Sequence, residues 1–196
     1  AKEYAPTDGI EAKEYRGCTS NFTVMDKYGN VISQTQTIRN WWGSGVVIPG
    51  RGFIMNNAMA DFSAKAGVRT TQGLAYGMAN AIRPGKTPLS SMSPTIVMKE
   101  GKPVLSVGAA GGPRIITSTL QLIINNLDYG MMMDSAVKHP HMCCLTLNQG
   151  LELEEGFSPD TIKLLAAKGH IIKNTTDFGE LLVMPNGIRN IDGTFF

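Results

Sequence analysis

The sequence has little cysteine and no excess of charge of either sign. Its 196 residues include three cysteines, and 18 lysines and arginines are set against 16 aspartates and glutamates, giving a net charge of +2. The basic residues are scattered and the net charge is small, which gives no electrostatic case for nucleic-acid binding. No apolar run reaches the length of a membrane span, so no membrane segment is expected in this chain. The length suits one globular domain with a sizeable core.

Patterns typical of disulfides and metal sites are also scarce. Cys143 and Cys144 are adjacent and poorly disposed to bridge each other, while Cys18 is far away in sequence, and no Cys-x-x-Cys pair is present. His139 and His141 are two residues apart and could chelate a metal on an extended segment. A structural or surface pair is the favoured interpretation, because the sequence offers no other ligands nearby. We therefore expect no metal site.

Apolar periodicity predicts strands in adjacent pairs with helices between the pairs. Residues 1–17 are polar and interrupted by Pro6 and Gly9, which is typical of a tail. Alternation and turn residues predict strands and helices in the remainder. They are a hairpin over 21–38, a short strand at 53–57, a second hairpin over 95–110, helices within 113–130 and 158–169, and closing strands within 170–191. This order predicts an α+β fold with mainly antiparallel sheets, covered on their outer faces by helices.

Three short segments could carry chemistry. Gly111 and Gly112 lie between a buried strand and a helix start, where main-chain N–H groups could bind a ligand or an oxyanion, although a tight packing turn is the simpler interpretation. Ser90 and Ser91, in "PLSSMSPT", could donate to a substrate carboxylate or could satisfy their own loop. Asp61, in "NNAMADF", could hold a ligand ammonium or could cap a turn.

A fourth segment, Cys18, Thr19 and Ser20, places three potential nucleophiles directly before a strand. A hydroxyl becomes nucleophilic when a base takes its proton, and the α-amine of an N-terminal residue can be that base. Its pKa is about 8 without help from a histidine. To expose the amine, the bond before the nucleophile must be cut, and the same hydroxyl can attack the preceding carbonyl. Hydroxyls before strands are ordinary, so spacing alone leaves this a minority interpretation.

The order of the motifs changes that balance. The chain resembles the small subunit of γ-glutamyltranspeptidases, members of the N-terminal-nucleophile hydrolase superfamily, from about Thr19 to Phe178. The resemblance rests on motifs in the family's order and spacing: "TSNFTVMDKYGNVIS", "TQTI", "GFIMNNAMADFSAKAG", "KTPLSSMSPTIV", "VGAAGGPRIIT" and "GFSPDTIKLLAAKGH". It implies a four-layer αββα sandwich with two mainly antiparallel sheets between helices. It also implies an amidohydrolase or acyltransferase that needs no cofactor.

The resemblance also implies roles for individual residues. Thr19 matches the catalytic threonine, freed by cleavage of the Cys18–Thr19 bond, and Thr37 matches a threonine that hydrogen-bonds it. Gly111 and Gly112 match the oxyanion-hole pair. Asp61 matches the carboxylate for the substrate's α-amino group, and Ser90 with Ser91 match the serines for its α-carboxylate. Arg39, two residues past Thr37, is a further substrate-binding candidate.

Two positions depart from the family pattern. Arg39, followed by Asn40, replaces a common asparagine, and Ala58 replaces a glutamine or glutamate. These changes imply acyl groups with a terminal carboxylate and no amine, as in the cephalosporin-acylase (glutaryl acylase) relatives. A polyglutamate-cleaving relative and a non-catalytic homologue binding an acidic peptide or metabolite remain alternatives.

The resemblance further implies how the chain is divided. Residues 1–18 are expected to be the tail of a large subunit or a pro-segment, and residues 19–196 the catalytic domain, with an incomplete C-terminal end. The expected partners are the large subunit of the same precursor and a small-molecule or peptide amide substrate.

Overall fold

The computed structural model describes residues 18–65, 67–68, 74–146, 150–174 and 183–196. In these ranges the chain forms strands, α-helices and three short 3-10 helices. The strands are β1 Thr19–Met25, β2 Val31–Thr37, β3 Thr95–Lys99, β4 Lys102–Ala110, β5 Met142–Cys143, β6 Leu151–Leu153, β7 Ile172–Asn174, β8 Met184–Ile191 and β9 Thr194–Phe195. The α-helices are α1 Ile115–Leu127, α2 Met133–Lys138 and α3 Pro159–Ala167, and the 3-10 helices are Ala58–Asp61, Met78–Asn80 and Gly112–Arg114.

Strands β1 and β2 form a regular antiparallel hairpin in which Thr19 pairs with Thr37. Both strands alternate between half-buried and exposed residues, as a sheet covered on one face requires. Asp26 closes the turn, because its carboxylate accepts hydrogen bonds from the backbone N–H groups of Tyr28 and Asn30 and from the Asn30 side chain. The Asn30 side-chain hydrogen bond is the main cause that lowers the pKa of Asp26.

The larger sheet has the order β3-β4-β8-β9, with every neighbouring pair antiparallel. Strand β4 is central and buried over nearly its whole length, and helices α1 and α2 pack on this sheet. The core of the domain lies between them, made of Leu105 and Val107 from β4, Leu122 from α1, and Met133 and Ala136 from α2. A continuous apolar strand such as β4 is typical of a sheet that is covered on both faces.

The other face of β4 carries the β1–β2 hairpin, and polar contacts join the two sheets. The Ser33 hydroxyl donates to the Val107 carbonyl at 3.2 Å, and the Asn186 side chain donates to the Asn21 carbonyl at 2.7 Å. Gly108 lies directly beneath Asn21, since a Cβ at this glycine would stand 2.2 Å from Asn21 Nδ2. The close approach of the hairpin therefore requires glycine at residue 108.

A third sheet of order β5-β6-β7 completes the described residues. Arg114, at the end of the Gly112–Arg114 turn, makes a two-point ion pair with Glu152 on β6, at 2.7 and 3.0 Å. This pair ties the start of α1 to the third sheet. Helix α3 begins as the sequence predicts, because the Ser158 side chain accepts from the Thr161 N–H and Pro159 occupies the first turn.

Most of the predicted elements are confirmed: both hairpins, the helix after the glycine pair and the helix after Ser158. The strand predicted at 53–57 is wrong. Only Ile54 forms an isolated bridge, with Val47, and an irregular loop surrounds it. Helix α2 and strands β5, β6 and β9 were not predicted, because segments of two to six residues are too short to display a period. No described helix is long and apolar enough to cross a membrane.

Candidate functional site

The structure separates the three clustered nucleophiles Cys18, Thr19 and Ser20. Alternation along β1 turns Thr19 toward the sheet interface and leaves Ser20 on the exposed face. Burial raises the pKa of the Cys18 thiol, which keeps it in the protonated form that is a poor nucleophile. Thr19 is therefore the member of the cluster that combines a hydroxyl with a half-buried position facing the second sheet.

Thr37, the strand partner of Thr19, makes three hydrogen bonds through its hydroxyl group. It accepts a hydrogen bond from the Thr19 hydroxyl at 3.1 Å and another from the Arg39 backbone N–H at 2.9 Å. Its own proton points to the Cys18 carbonyl oxygen, 3.4 Å away. Because both accepting positions are filled, the single hydroxyl proton is directed at the carbonyl of the bond that precedes Thr19.

The Gly111–Gly112 turn adopts a backbone that other residues avoid, with φ of 149° and 61°. It lies between β4 and the short Gly112–Arg114 helix that leads into α1. The Ser91 hydroxyl donates to the Gly112 carbonyl at 2.9 Å and so fixes the orientation of that peptide. Pro113 follows and has no N–H, so the backbone donors available at this turn are those of the two glycines.

Two cross-sheet contacts give the direction of the hairpin relative to β4. Ser33 bonds to Val107, and Asn21, which pairs with Thr35 across the hairpin, lies over Gly108. Moving from Ser33 to Thr35 along β2 therefore corresponds to moving from Val107 to Gly108 along β4. The Thr19–Thr37 end of the hairpin consequently lies toward the end of β4 from which the glycine turn continues.

The predicted substrate residues Arg39 and Asp61 are joined to each other. Arg39 Nε donates to Asp61 Oδ1 at 2.6 Å, with side chains only 16% and 36% exposed. The guanidinium also donates to the Asn40 side chain at 3.1 Å and to the Ala60 carbonyl at 3.2 Å. Burial raises the pKa of Tyr76, and the negative charge of Asp61 adds to this shift while the positive charge of Arg39 opposes it. The tyrosine therefore lies within electrostatic reach of the pair.

Sequence reasoning did not single out Asn80, which joins two of the predicted segments. Its side chain donates to the Asp61 carbonyl at 2.7 Å and accepts from the Leu89 N–H at 3.0 Å. Leu89 directly precedes Ser90, so this one amide fixes the Asp61 segment next to the serine loop. Ser90 itself accepts from the Met92 N–H at 3.2 Å, which is a local turn contact. An asparagine in a loop carries no sequence signal that would distinguish it from an ordinary turn residue.

The histidine pair separates into two local contacts. His139 Nδ1 lies 3.1 Å from the Pro140 carbonyl, whereas His141 is buried with its ring 3.3 Å from Glu154 Oε2. Among the described residues, no group of three His, Cys, Asp or Glu side chains is close enough to hold a metal ion. The pair is thus engaged with neighbouring protein groups.

Comparison with known proteins identifies the family to which this chain is similar. The gamma-glutamyltranspeptidase family model matches residues 1–188. The glutathione hydrolase proenzyme of Escherichia coli is 45% identical over 172 residues, covering 86% of this chain and 30% of the relative. The Acylase ACY 1 proenzyme of a Pseudomonas species is 39% identical over 152 residues, covering 78% of this chain and 25% of the relative. A crystal structure of a mutant Helicobacter pylori gamma-glutamyltranspeptidase superposes with a TM-score of 0.81 at 40% identity, covering 90% of this chain and 95% of that one.

The likeness to solved structures shows the fold class that was predicted, the αββα sandwich of N-terminal-nucleophile hydrolases. The described residues contribute two facing sheets and the helices on one of them. Within that class, the chain belongs to the gamma-glutamyltranspeptidase family. It spans about a third of the length of the curated relatives it matches.

Proposed function

We propose that this chain carries the catalytic site of a γ-glutamyltransferase-like amidohydrolase or acyltransferase whose nucleophile is Thr19. The observation that carries the proposal is the hydroxyl pair Thr19–Thr37, 3.1 Å apart, with the Thr37 proton directed to the Cys18 carbonyl. A structural pair of threonines would not require a contact to the one carbonyl whose attack would free the Thr19 amine.

Maturation begins with attack of Thr19 Oγ1 on the Cys18 carbonyl carbon. The negative charge that develops on the carbonyl oxygen is stabilised by the Thr37 hydroxyl, which already points to it. Collapse of the intermediate breaks the C–N bond, the departing nitrogen takes the proton that the Thr19 hydroxyl loses, and an ester is left on Thr19. Water then hydrolyses the ester, giving a carboxylate on Cys18 and a free amine on Thr19. Residues 1–18 become the end of one subunit, and residues 19–196 become the catalytic domain.

In turnover the same hydroxyl attacks the carbonyl carbon of an acyl amide. The free amine of Thr19, an α-amine that can act as a base near neutral pH, takes the hydroxyl proton and returns it to the departing amine. The N–H groups of Gly111 and Gly112 stabilise the oxyanion, in a turn whose orientation the Ser91 hydroxyl maintains. The acyl-enzyme ester is resolved by water in hydrolysis or by an amine acceptor in transfer.

Exposed apolar side chains support a partner, for which we propose the remainder of the same precursor. The outward face of the hairpin exposes Phe22, Val24 and Ile32 at 40%, 54% and 47%, and Trp41 and Trp42 after it are 64% and 70% exposed. Large exposed apolar surfaces mark protein interaction sites. The relatives are proenzymes of which this chain spans about a third, so their remaining length is sufficient to supply the cover.

Mass spectrometry of the full precursor and its variants tests the proposal. The wild-type precursor is expected to yield a subunit that begins at Thr19 and to hydrolyse an acyl anilide. Thr19→Ala is expected to stay uncut and inactive, whereas Thr19→Ser keeps a hydroxyl and retains part of both activities. Ser20→Ala is the matched control, because Ser20 lies on the exposed face, and it is expected to process normally. An uncut precursor with full activity contradicts the proposal.

A second candidate is an acylase that removes a carboxylate-bearing acyl group without an α-amine, like the cephalosporin acylases. One observation favours it: the Asp61 carboxylate is engaged by Arg39 at 2.6 Å. Both candidates share the Thr19 mechanism and differ in the acyl group.

A further inference from the structure

The backbone of the Gly111–Gly112 turn must be held by its surroundings if its N–H groups are to serve an oxyanion. The φ values of 149° and 61° lie in a region that glycine adopts readily, but glycine reaches many other conformations as well. A hydrogen bond weakens steeply when its donor turns away from the acceptor. The neighbours of the turn therefore decide whether the two N–H groups point in a useful direction.

Contacts with other strands hold both ends of this turn. On the entry side, Ala110 is buried and pairs with Met184 on β8. On the exit side, the Arg114 guanidinium makes two contacts with the Glu152 carboxylate, from Nε at 2.7 Å and from Nη2 at 3.0 Å. Two parallel contacts fix both the position and the plane of a guanidinium, which a single contact does not.

Glu152 is a firm anchor for this contact. It lies on β6, the middle strand of the third sheet, and its side chain is only 12% exposed. Lys173, on the neighbouring strand β7, approaches Glu152 Oε1 at 3.9 Å. Arg114 is therefore attached to a carboxylate that its own strand and a second cation hold in place.

A short and rigid path leads from Arg114 back to the glycines. Pro113 lies between them, and its ring fixes its φ. The Ile115 N–H donates to the Gly112 carbonyl and closes the 3-10 turn. The Thr117 hydroxyl donates to the Arg114 carbonyl at 3.0 Å, which holds the same residue by its backbone. A displacement of Arg114 is consequently passed to Gly112, where the backbone yields most easily.

We propose that Arg114 and Glu152 are positioning residues, whose ion pair holds the two glycine N–H groups in the direction that the oxyanion of turnover requires. The inference rests on the proposed Thr19 mechanism and deepens it by naming what keeps its oxyanion turn in place. The Ser91 hydroxyl fixes one carbonyl of the turn, at Gly112, and the ion pair fixes the residue at which the turn ends.

The proposal separates two steps that share one nucleophile. In maturation the oxyanion forms on the Cys18 carbonyl, to which the Thr37 hydroxyl already points. In turnover the oxyanion forms on the substrate and is stabilised at the glycine turn. Loss of the ion pair is therefore expected to slow turnover and to leave self-cleavage unchanged, whereas general damage to the fold would slow both.

The test measures self-cleavage and turnover of the full precursor in Arg114→Met, Glu152→Gln and the double variant. Turnover is followed with γ-glutamyl or glutaryl p-nitroanilide, whichever the wild type cleaves faster, and kcat is divided by the matured fraction counted by mass spectrometry. Each single variant is expected to lower kcat by about tenfold, with KM within about twofold of wild type, because a misdirected donor loses part of its contribution to the transition state. The double variant is expected to lose no more than either single variant, since all three lack the same pair.

Gln121→Met is the matched control for the attachment of the third sheet. Gln121 also joins α1 to that sheet, since it accepts from the Met142 N–H at 3.0 Å and donates to the Met142 carbonyl at 2.9 Å. It lies in the middle of α1, away from the glycine turn. Its loss is expected to lower the melting temperature and to leave kcat at the wild-type value.

The outcomes distinguish the two proposals. A wild-type kcat in either single variant overturns the positioning role, and so does a slowing of self-cleavage equal to that of turnover. An equal loss of kcat in Gln121→Met also overturns it, because kcat would then report how firmly the third sheet is attached. The Thr19 mechanism stands in each of these cases. A wild-type precursor that neither cuts itself nor hydrolyses either anilide overturns the mechanism and, with it, the inference.

Discussion

Replacing Thr37 by valine removes one hydroxyl from the candidate site and keeps the shape of the side chain. The lost groups are the acceptor for the Thr19 hydroxyl at 3.1 Å, the acceptor for the Arg39 N–H at 2.9 Å, and the donor to the Cys18 carbonyl at 3.4 Å. Loss of one preorganised donor to a developing oxyanion slows acyl transfer by about 100- to 1000-fold. We expect self-cleavage of Thr37→Val to slow by about 100-fold, since the donor contact here is long.

The assay follows the purified full precursor over time on denaturing gels, with the new N-terminus identified by mass spectrometry. Thr37→Ser keeps the hydroxyl on a less restricted side chain and is expected to cleave within about threefold of the wild-type rate. Leaving the Arg39 N–H without its acceptor costs about 1–3 kcal/mol of folding free energy. Thermal unfolding of each variant therefore accompanies the rate measurement.

Thr35→Val is the matched control, because Thr35 is on the same strand and the same face, two residues before Thr37. It removes the acceptor of an Asn21 hydrogen bond at 2.7 Å, so it is expected to lower stability while cleaving at the wild-type rate. The reasoning is refuted if Thr37→Val cleaves as fast as wild type. It is equally refuted if Thr35→Val slows cleavage as much, because the rate would then report the integrity of the hairpin.

Three further predictions concern the scaffold. Gly108→Ala places a methyl group 2.2 Å from Asn21 Nδ2 and is expected to cost about 1–3 kcal/mol in denaturant unfolding, whereas Gly77→Ala, with open space around it, should cost far less. Hydrogen bonds lower the pKa of Asp26, so its contribution to stability is present above the pKa of an unfolded aspartate and is lost as pH falls through the folded pKa. The urea midpoint of Asp26→Asn should therefore depend less on acid pH than that of the wild type. Glu152→Gln weakens the two-point ion pair on β6 and should lower stability by about 2 kcal/mol, read as a lower melting temperature.

The sequence was most informative where a pattern is local. Alternation predicts the β1–β2 hairpin, and the Ser158–Pro159 start predicts α3, because neighbouring residues determine these elements. The strand predicted at 53–57 is wrong, and Asn57 at its end bonds to another loop instead of to a neighbouring strand: its side-chain oxygen accepts from the Asn40 N–H, and its own N–H donates to the Ile38 carbonyl. Apolar residues in so short a run cannot distinguish a strand from an irregular loop.

The candidate site shows the same division. Motif order alone placed Thr19, Thr37 and the glycine pair in one hypothesis, yet it gave no sign that the Arg39 side chain bonds Asp61. Arg39 lies 22 positions before Asp61, and residues so far apart have no preferred geometry until the chain folds back. From the sequence alone, each of the two side chains could equally well bind a substrate. Asn80 was missed for the same reason, as both of its partners lie in other loops.

By itself the sequence determined the two hairpins, the helix after the glycine pair and the helix after Ser158, because backbone preferences and local side-chain chemistry are carried by each residue. Only the tertiary structure decided the directions and the pairings: the Thr37 proton on the Cys18 carbonyl, the hairpin over Gly108, and the guanidinium on Asp61. These contacts join residues far apart in the chain. They form only when the hairpin closes, the loops fold back and the two sheets pack face to face.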